Sequence, residues 1–187
     1  MKVPFVISVS GIPCGGKTTV VNALKERLKN CIVVKFDDYD DVYLDRDINE
    51  WSADGEDADE WHVEPIADDL EKLMKEHPDY ILLEFPFGRG NRLVGQYIDF
   101  AVFIDTPLDI ALARRIIRDY TDRAPERHKI EVNLSVIGTE MRHYLTCSRP
   151  TYARMPETQK PISDVVVDGT KTPEAISDEI MNAIYNR

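Results

Sequence analysis

The sequence contains few cysteines and no long apolar run. Its three cysteines, Cys14, Cys31 and Cys147, lie far apart and form no CxxC pair or Cys/His cluster. Neither a disulfide framework nor a zinc site is therefore expected, and reduced thiols favour a cytoplasmic location. The longest apolar stretches are a handful of residues, whereas about 18–20 are needed to cross a bilayer, so no membrane-spanning segment is expected.

Positive charge is also scarce. The chain has 23 Lys and Arg residues against 34 Asp and Glu residues, a net charge of −11. This charge repels phosphate backbones and anionic lipids, so nucleic acid and membranes are not expected as partners. The sequence says nothing of oligomeric state.

The two signs of charge are unevenly distributed. Sixteen acidic residues and a single basic one, Arg46, lie between positions 37 and 71, whereas positions 114–160 contain ten basic and six acidic residues. The acidic stretch is either a solvated, partly mobile insertion or the frame of a pocket for a substrate without a large negative charge. In the second case the basic segment would face an anion.

The 187 residues are enough for one domain, 1–187, with its own core. Short apolar runs at 3–10, 32–36, 80–83, 101–104 and 165–167 predict buried strands. Helical spacing predicts helices at 17–29 and 64–77, after a capping box at Thr106-Pro107, from 130 to Pro150, and after Thr172-Pro173. Alternating strands and helices predict an α/β fold with a parallel sheet. The first apolar run also suggests a signal peptide, but the glycine-rich turn after it favours a strand.

The turn after the first strand matches the pattern G-x-x-x-x-G-K-[ST] at every fixed position. The residues are Gly11, Ile12, Pro13, Cys14, Gly15, Gly16, Lys17 and Thr18, followed by Thr19. Glycines allow backbone N–H groups to face an anion, and a helix beginning at Gly16 adds a partial positive charge. Lys17 is expected to reach the β- and γ-phosphates, and Thr18 to ligate magnesium. All nine residues are predicted to bind ATP with Mg²⁺. Cys14 is either a redox switch or a small residue whose backbone alone matters.

Four classes of protein contain such a phosphate loop: regulatory GTPases, motor ATPases, nucleoside-monophosphate kinases and small-molecule kinases. A GTPase should offer an [NT]KxD guanine reader, but the nearest match, 170–173, reads Thr-Lys-Thr-Pro and lacks the aspartate. Larger ATPases need a longer chain. The length favours a compact kinase.

The sequence resembles the uridine kinase-like group of phosphate-loop kinases, which includes nicotinamide riboside kinases. The features that carry the resemblance are SGIPCGGKTT after the first strand, Phe36-Asp37-Asp38-Tyr39 after the second, Leu82-Leu83-Glu84 at the end of the third, and the lid-like run Arg114-Arg115-Ile116-Ile117-Arg118-Asp119. The resemblance implies a three-layer α/β sandwich with a parallel five-stranded sheet in the order 2-3-1-4-5 and a helical lid at 114–128. Residues 37–63 would form an insertion on the substrate side.

The resemblance implies roles for several residues, and each has an alternative. Asp37 would be the base that accepts the proton of the attacking hydroxyl, with Asp38 as second candidate, although Asp37 could also cap a turn. Glu84 would ligate magnesium-bound water or a substrate hydroxyl, because burying an unpaired carboxylate is costly. Arg114 and Arg118 would neutralise the transferring phosphoryl group, with Arg123 as a third candidate. Alternatively, they form a surface salt-bridge face.

The acceptor is the least defined element of the prediction. Trp61 and His62 lie where the family reads its substrate, and a tryptophan there would either stack on a planar ring or anchor the insertion. The sequence predicts an ATP-dependent phosphotransferase acting on a hydroxyl of a small metabolite, a nucleoside as first choice. The alternatives are a kinase for a sugar, vitamin or nucleotide, and a nucleotide-binding regulatory module with little turnover.

Overall fold

The computed structural model describes residues 3–122 and 134–187. The strands in these ranges are β1 (Phe5–Gly11), β2 (Cys31–Lys35), β3 (Tyr43–Leu44), β4 (Trp61–His62), β5 (Tyr80–Glu84), β6 (Phe100–Asp105) and β7 (Val165–Asp168). Five of them form a parallel sheet in the order β2-β5-β1-β6-β7, and β3 pairs with β4 in a short antiparallel hairpin. Counted along the chain, the five sheet strands have the order 2-3-1-4-5, which confirms the predicted fold.

Helices cover both faces of the sheet. They are α1 (Lys17–Arg27), α2 (Ile48–Ala53), α3 (Glu64–Glu76), α4 (Arg92–Gly95), α5 (Leu108–Ile117), α6 (Leu134–His143), α7 (Arg149–Gln159) and α8 (Pro173–Tyr185). None of the helices in the described ranges is long and apolar enough to cross a membrane.

Strand residues alternate between two hydrophobic clusters because successive side chains point to opposite faces of a sheet. On one face, Val6 and Leu83 are buried against Leu70 of α3. On the other face, Ile7 and Leu82 are buried with side chains of α1 and α8. Burial on both faces explains why the strands read as continuous apolar runs.

The register aligns the carboxyl ends of the three neighbouring strands. Val9 of β1 pairs with Glu84 of β5, and Glu84 pairs with Lys35 of β2. The phosphate loop follows β1 directly, and Asp37 lies two residues beyond Lys35. Residues far apart in sequence thereby meet at one edge of the sheet, where ligands bind in open α/β folds.

The predicted capping box at Thr106 is wrong. Helix α5 begins at Leu108, its N-cap is Pro107, and no side chain caps it. The Thr106 hydroxyl instead donates a 2.7 Å hydrogen bond to the Gly15 carbonyl, and both residues are buried. Thr106 therefore fastens the phosphate loop to the end of β6.

The predicted helix end near Pro150 is also wrong. The chain remains helical after α6 through a widened turn at Tyr144–Ser148, and α7 begins at Arg149 with Pro150 in its first turn. Proline is tolerated there because the first N–H groups of a helix have no intrahelical partner. This continuation brings α7 to the cavity described below.

The acidic insertion is folded against the body of the protein. It contains the β3–β4 hairpin and α2, and the Trp51 side chain is 4% exposed in the same hydrophobic cluster as α3. Arg46, the one basic residue of the stretch, is paired with Asp54 at 2.6 Å and with Glu60 at 2.8 Å.

Candidate functional site

The phosphate loop leads from β1 into α1. Helix α1 has Gly16 at its N-cap, with a left-handed backbone (φ +103°), and its first helical bond runs from Val20 N–H to Gly16 O. The amides of Lys17, Thr18 and Thr19 therefore precede the helical ladder and are free to meet an anion. A side chain at Gly16 would strain this conformation.

One amide of the loop is already engaged. Gly15 N–H donates a 2.9 Å hydrogen bond to Ile12 O, and a Cβ at Gly15 would lie 2.8 Å from the same oxygen. Gly15 thus closes the turn that shapes the loop. Cys14 lies at the tip with φ +60° and lines the cavity described below.

The Lys17 ammonium lies back over the loop, where its Nζ donates hydrogen bonds to Gly11 O at 3.0 Å and Ile12 O at 3.3 Å. Burial lowers the pKa of Lys17, and the carboxylates of Glu84 and Asp37 act in the opposite direction. The hydrogen bonds of this half-buried cation go to two neutral carbonyls, so it can also pair with an anionic ligand in the loop.

Thr18 and Glu84 meet beneath the loop. The Thr18 hydroxyl donates a 2.6 Å hydrogen bond to Glu84 Oε1, and Glu84 is 6% exposed. The other carboxylate oxygen, Glu84 Oε2, is buried and has no hydrogen-bond partner among the residues described. An unpaired buried carboxylate oxygen is costly unless a ligand meets it.

These two residues fit a magnesium ion. Mg²⁺ prefers oxygen ligands and is bound by one or two protein groups together with water and substrate phosphates. Within residues 3–122 and 134–187 no cluster of three or more His, Cys, Asp or Glu side chains is present, as expected for such a sparse site. When bound, the ion would neutralise charge on the phosphates.

Two of the predicted lid arginines reach the same region. Arg114 donates a 3.0 Å hydrogen bond to Gly169 O, and its NH1 lies 3.8 Å from the point where a Cβ of Gly16 would be. Arg118 is held by Asp119 through two hydrogen bonds of 2.6 and 3.1 Å, which raise its pKa. Both arginines line the cavity, whereas Arg123 lies outside the described residues.

Asp37 and Asp38 have different surroundings although they are neighbours in sequence. Asp37 lines the cavity, and its charge acts on the pKa of both Lys17 and Arg118. Asp38 does not line the cavity, and its charge acts instead on Tyr39, whose pKa is raised chiefly by burial. The geometry therefore favours Asp37 over Asp38 as a site residue.

A single cavity of about 1020 Å³ extends from the phosphate loop towards the insertion and α7. Its nucleotide side is lined by residues 13–20, Arg114, Arg118 and the loop at 169–173. Its far side is here called the acceptor part. It is lined by Phe36, which follows β2, and by side chains from the insertion, from the segment after β5 and from α7: Trp51, Glu56, Asp57, Trp61, Phe87, Thr151, Tyr152, Met155, Thr158 and Gln159.

Aromatic rings form one wall of the acceptor part. The Phe87 ring centroid lies 5.4 Å from that of Trp61, 5.8 Å from that of Phe36 and 6.2 Å from that of Trp51. The two tryptophans differ in their polar atoms. Trp51 donates from Nε1 to Asp57 O at 2.7 Å, whereas Trp61 Nε1 is buried without a partner among the described residues. The Trp51 hydrogen bond therefore connects two parts of the insertion, whereas the Trp61 N–H group makes no such bond among the described residues.

His62 is not brought into the site. Its ring stacks on Tyr43 at 4.4 Å, its Nε2 lies 2.8 Å from Asp45 Oδ2, and it does not line the cavity. The hydrogen bond with Asp45 raises the pKa of His62. The geometry gives no support for a substrate contact and indicates that His62 stabilises the β3–β4 hairpin.

Sequence reasoning missed Glu56 and the residues of α7. Glu56 accepts a 2.9 Å hydrogen bond from Ser52 Oγ, lies 3.8 Å from Arg154, and has its pKa raised by burial. Ser52 also bonds to Thr151 of α7 at 2.5 Å. These contacts join the insertion to α7. Of these residues, only Glu56 can be noticed in the sequence, because it is an acidic residue in a charged stretch that has no apolar periodicity.

Comparison with known proteins gives three relevant similarities. The profile of the AAA domain family matches residues 7–134. The uridine kinase of Halobacterium salinarum is 23% identical over all of this chain and 88% of that protein. Uridine kinase-like protein 5 of Arabidopsis thaliana is 28% identical over 66% of this chain, which spans only 32% of the plant protein.

Two solved structures have a similar fold. A possible uridine kinase from Bacillus stearothermophilus superposes with a TM-score of 0.54 at 18% identity, over 90% of each chain. Shikimate kinase from Acinetobacter baumannii in complex with shikimate superposes with a TM-score of 0.55 at 16% identity, over 98% of this chain and 94% of that chain. The matched family profile spans more than half of the sequence. The chain therefore belongs to the AAA domain family, and over its full length its sequence is similar to that of a uridine kinase.

Proposed function

We propose that this protein is an ATP- and Mg²⁺-dependent kinase that phosphorylates a hydroxyl group of a neutral, nucleoside-like metabolite. One observation carries the proposal: a single cavity joins the phosphate loop to an aromatic-walled acceptor part, and Asp37 lines it within electrostatic reach of Lys17 and Arg118. Such a cavity brings a triphosphate and an acceptor together, and catalysis then rests on positioning and charge neutralisation.

The chemistry divides among a few side chains. Lys17 and the amides at the start of α1 bind the triphosphate, and Thr18 and Glu84 hold the magnesium ion. Asp37 orients the acceptor hydroxyl and accepts its proton. Arg114 and Arg118 stabilise negative charge as the phosphoryl group is transferred, and their segment excludes water. Residues 114–128 are proposed to act as the lid.

Charge in the cavity favours a neutral acceptor. The Lys and Arg residues that line it, among those described, are Lys17, Arg114, Arg118 and Lys171. All four belong to the nucleotide side, whereas the acceptor part contributes the acids Glu56 and Asp57. A carboxylate such as that of shikimate, or a nucleotide phosphate, would meet these acids and no Lys or Arg among the described residues of the acceptor part, and would be repelled. A nucleoside has a planar ring for the aromatic wall and no charge.

The test is a panel assay of ADP release with Mg²⁺-ATP and candidate acceptors. We expect the highest kcat/KM with uridine or cytidine, and little turnover with shikimate or nucleoside monophosphates. Preferred turnover of an anionic acceptor would contradict the proposal. Tight ATP binding without acceptor-dependent turnover would favour a regulatory nucleotide-binding module.

A further inference from the structure

Buried polar atoms without partners are concentrated at the cavity. In the described ranges five buried side-chain atoms have no hydrogen-bond partner: Ser8 Oγ, Arg46 Nε, Trp61 Nε1, Glu84 Oε2 and Gln159 Oε1. Native proteins satisfy nearly all such atoms, so each exception calls for an explanation. Arg46 Nε lies 2.8 Å from Glu60 and is paired electrostatically. Of the remaining four, those of Trp61, Glu84 and Gln159 belong to residues that line the cavity.

The proposed magnesium site accounts for Glu84 Oε2, which leaves one buried donor and one buried acceptor on residues that line the acceptor part. Trp61 Nε1 is an N–H group that can only donate a hydrogen bond, and Gln159 Oε1 is a carbonyl oxygen that can only accept one. Burying either group without a partner destabilises the protein unless a ligand satisfies it.

The protein holds the Gln159 amide in a fixed position. Gln159 is the last residue of α7 and is 6% exposed. Its side chain lies along the segment after β5, where a Cβ at Gly88 would lie 2.9 Å from Gln159 Oε1 and a Cβ at Gly90 would lie 3.3 Å from Nε2. Glycines at these two positions therefore leave the space that the amide fills.

Trp61 packs against the same segment after β5. Its ring packs on Phe87, one residue before Gly88, at a centroid distance of 5.4 Å. Segment 87–90 thus contacts the Trp61 ring near one end and the Gln159 amide along the other. Both groups are buried against rigid packing, which suits recognition of a flat ligand edge.

Building on the proposed function, we propose that Trp61 and Gln159 recognise the polar edge of the acceptor's planar ring. Trp61 Nε1 donates to a ring carbonyl, and Gln159 Oε1 accepts from the adjacent ring N–H group. Uracil presents this pair of groups side by side, as a carbonyl beside the N3–H group. Gln159 is therefore a specificity-determining residue for a uracil-type nucleoside.

The test compares uridine with 3-methyluridine, in which a methyl group replaces the N3–H hydrogen. For the wild-type protein we expect KM to be roughly 10-fold higher for 3-methyluridine, because the buried Gln159 oxygen loses its donor. The Gln159→Met variant keeps the length of the side chain but removes the acceptor. Its KM for uridine should rise roughly 10-fold with kcat within about 2-fold, so that the two nucleosides become equivalent.

Gln96→Met is the matched control, because Gln96 is exposed, bonds to Leu93 O and does not line the cavity. It should keep the wild-type ratio of the two KM values. Melting temperatures of both variants distinguish recognition from support of the fold. A Gln159→Met variant that melts lower but keeps the wild-type KM ratio would show a purely structural role.

The possible failures are distinguishable. If the wild type phosphorylates uridine but Gln159→Met still discriminates against 3-methyluridine, the recognition role of Gln159 is wrong and the proposed kinase function stands. If the wild type turns over neither nucleoside, the proposed acceptor class fails and the recognition role fails with it.

Discussion

Thr18 Oγ1 donates a 2.6 Å hydrogen bond to Glu84 Oε1, so the phosphate loop and the end of β5 meet at one point. The two residues are 66 positions apart in sequence. The parallel pairing of β1 with β5 brings them together, because it aligns the carboxyl ends of the two strands. The second oxygen of Glu84 is left without a partner among the described residues, and we propose that this pair binds Mg²⁺.

Glu84→Gln tests the magnesium assignment. Glutamine keeps an oxygen that can accept from Thr18 but removes the negative charge. We expect the Mg²⁺ concentration for half-maximal turnover to rise about 10- to 100-fold, the range typical for residues that support a metal site. The measurement is a Mg²⁺ titration of ADP release at saturating ATP. Glu76→Gln, at the exposed end of α3, is the control. Equal Mg²⁺ dependence in both variants would contradict the assignment.

Asp37→Asn separates chemistry from binding. Asparagine keeps the size and hydrogen bonding of Asp37 but cannot accept a proton, so kcat should fall by about 10²–10⁴ with ATP affinity almost unchanged. The adjacent Asp38→Asn is the control, since Asp38 does not line the cavity. Steady-state kinetics and ATP binding provide the two readouts. If Asp38→Asn loses activity and Asp37→Asn does not, the catalytic base is Asp38. If both variants remain active, Glu84 becomes the next candidate for the base.

Arg118→Met tests the lid. The charge that Arg118 stabilises develops during transfer, so kcat should fall about 10²-fold or more while ATP affinity changes by less than about 3-fold. Arg115→Met is the control, because Arg115 lies in α5 three residues before Arg118, pairs with Glu140 at 3.5 Å and with Asp119 at 3.6 Å, and does not line the cavity. Equal kcat values in both variants and the wild type would indicate that Arg118 only forms surface salt bridges.

Glu56→Gln should alter the pH dependence of stability. Burial raises the pKa of the Glu56 carboxyl above its ordinary value of 4.5, although Ser52 and Arg154 act in the opposite direction. The folded state therefore holds this proton more tightly than the unfolded state. Its contribution to stability is present below pH 4.5 and is lost as the pH rises through the raised pKa.

Glutamine is neutral at every pH, so Glu56→Gln should melt higher than the wild type at pH 7, and the difference should shrink towards pH 4.5. Thermal unfolding at a series of pH values measures this. Glu157→Gln, an exposed residue of α7, should show no such trend. A difference that does not change with pH would mean that Glu56 does not titrate as described.

The parts of the site that the sequence predicted share one property: their positions follow from local rules. The phosphate loop is contiguous, so its residue types suffice to identify it. Asp37 and Glu84 follow apolar runs, and parallel strands bring such ends together without any knowledge of side-chain packing. The strand order came from the resemblance and was confirmed in the structure.

The acceptor part depends on tertiary packing instead. Gln159 reaches the cavity because the chain stays helical past Pro150, which a sequence rule treats as a stop. The pattern Thr106-Pro107-Leu108-Asp109 predicts a capping box, yet the Thr106 hydroxyl bonds to the phosphate loop. The sequence does not distinguish the roles of Trp51 and Trp61, because the difference between them is the hydrogen bond that only Trp51 makes among the described residues.

Product analysis by phosphorus NMR tests the central claim most directly. The reaction of Mg²⁺-ATP with uridine should yield one phosphomonoester for each ADP, with little inorganic phosphate. Lys17→Met should abolish both products while its melting temperature stays close to that of the wild type, because the cation that serves the phosphates is lost and the fold is kept. ADP with inorganic phosphate and no ester, or full activity in Lys17→Met, would contradict the account.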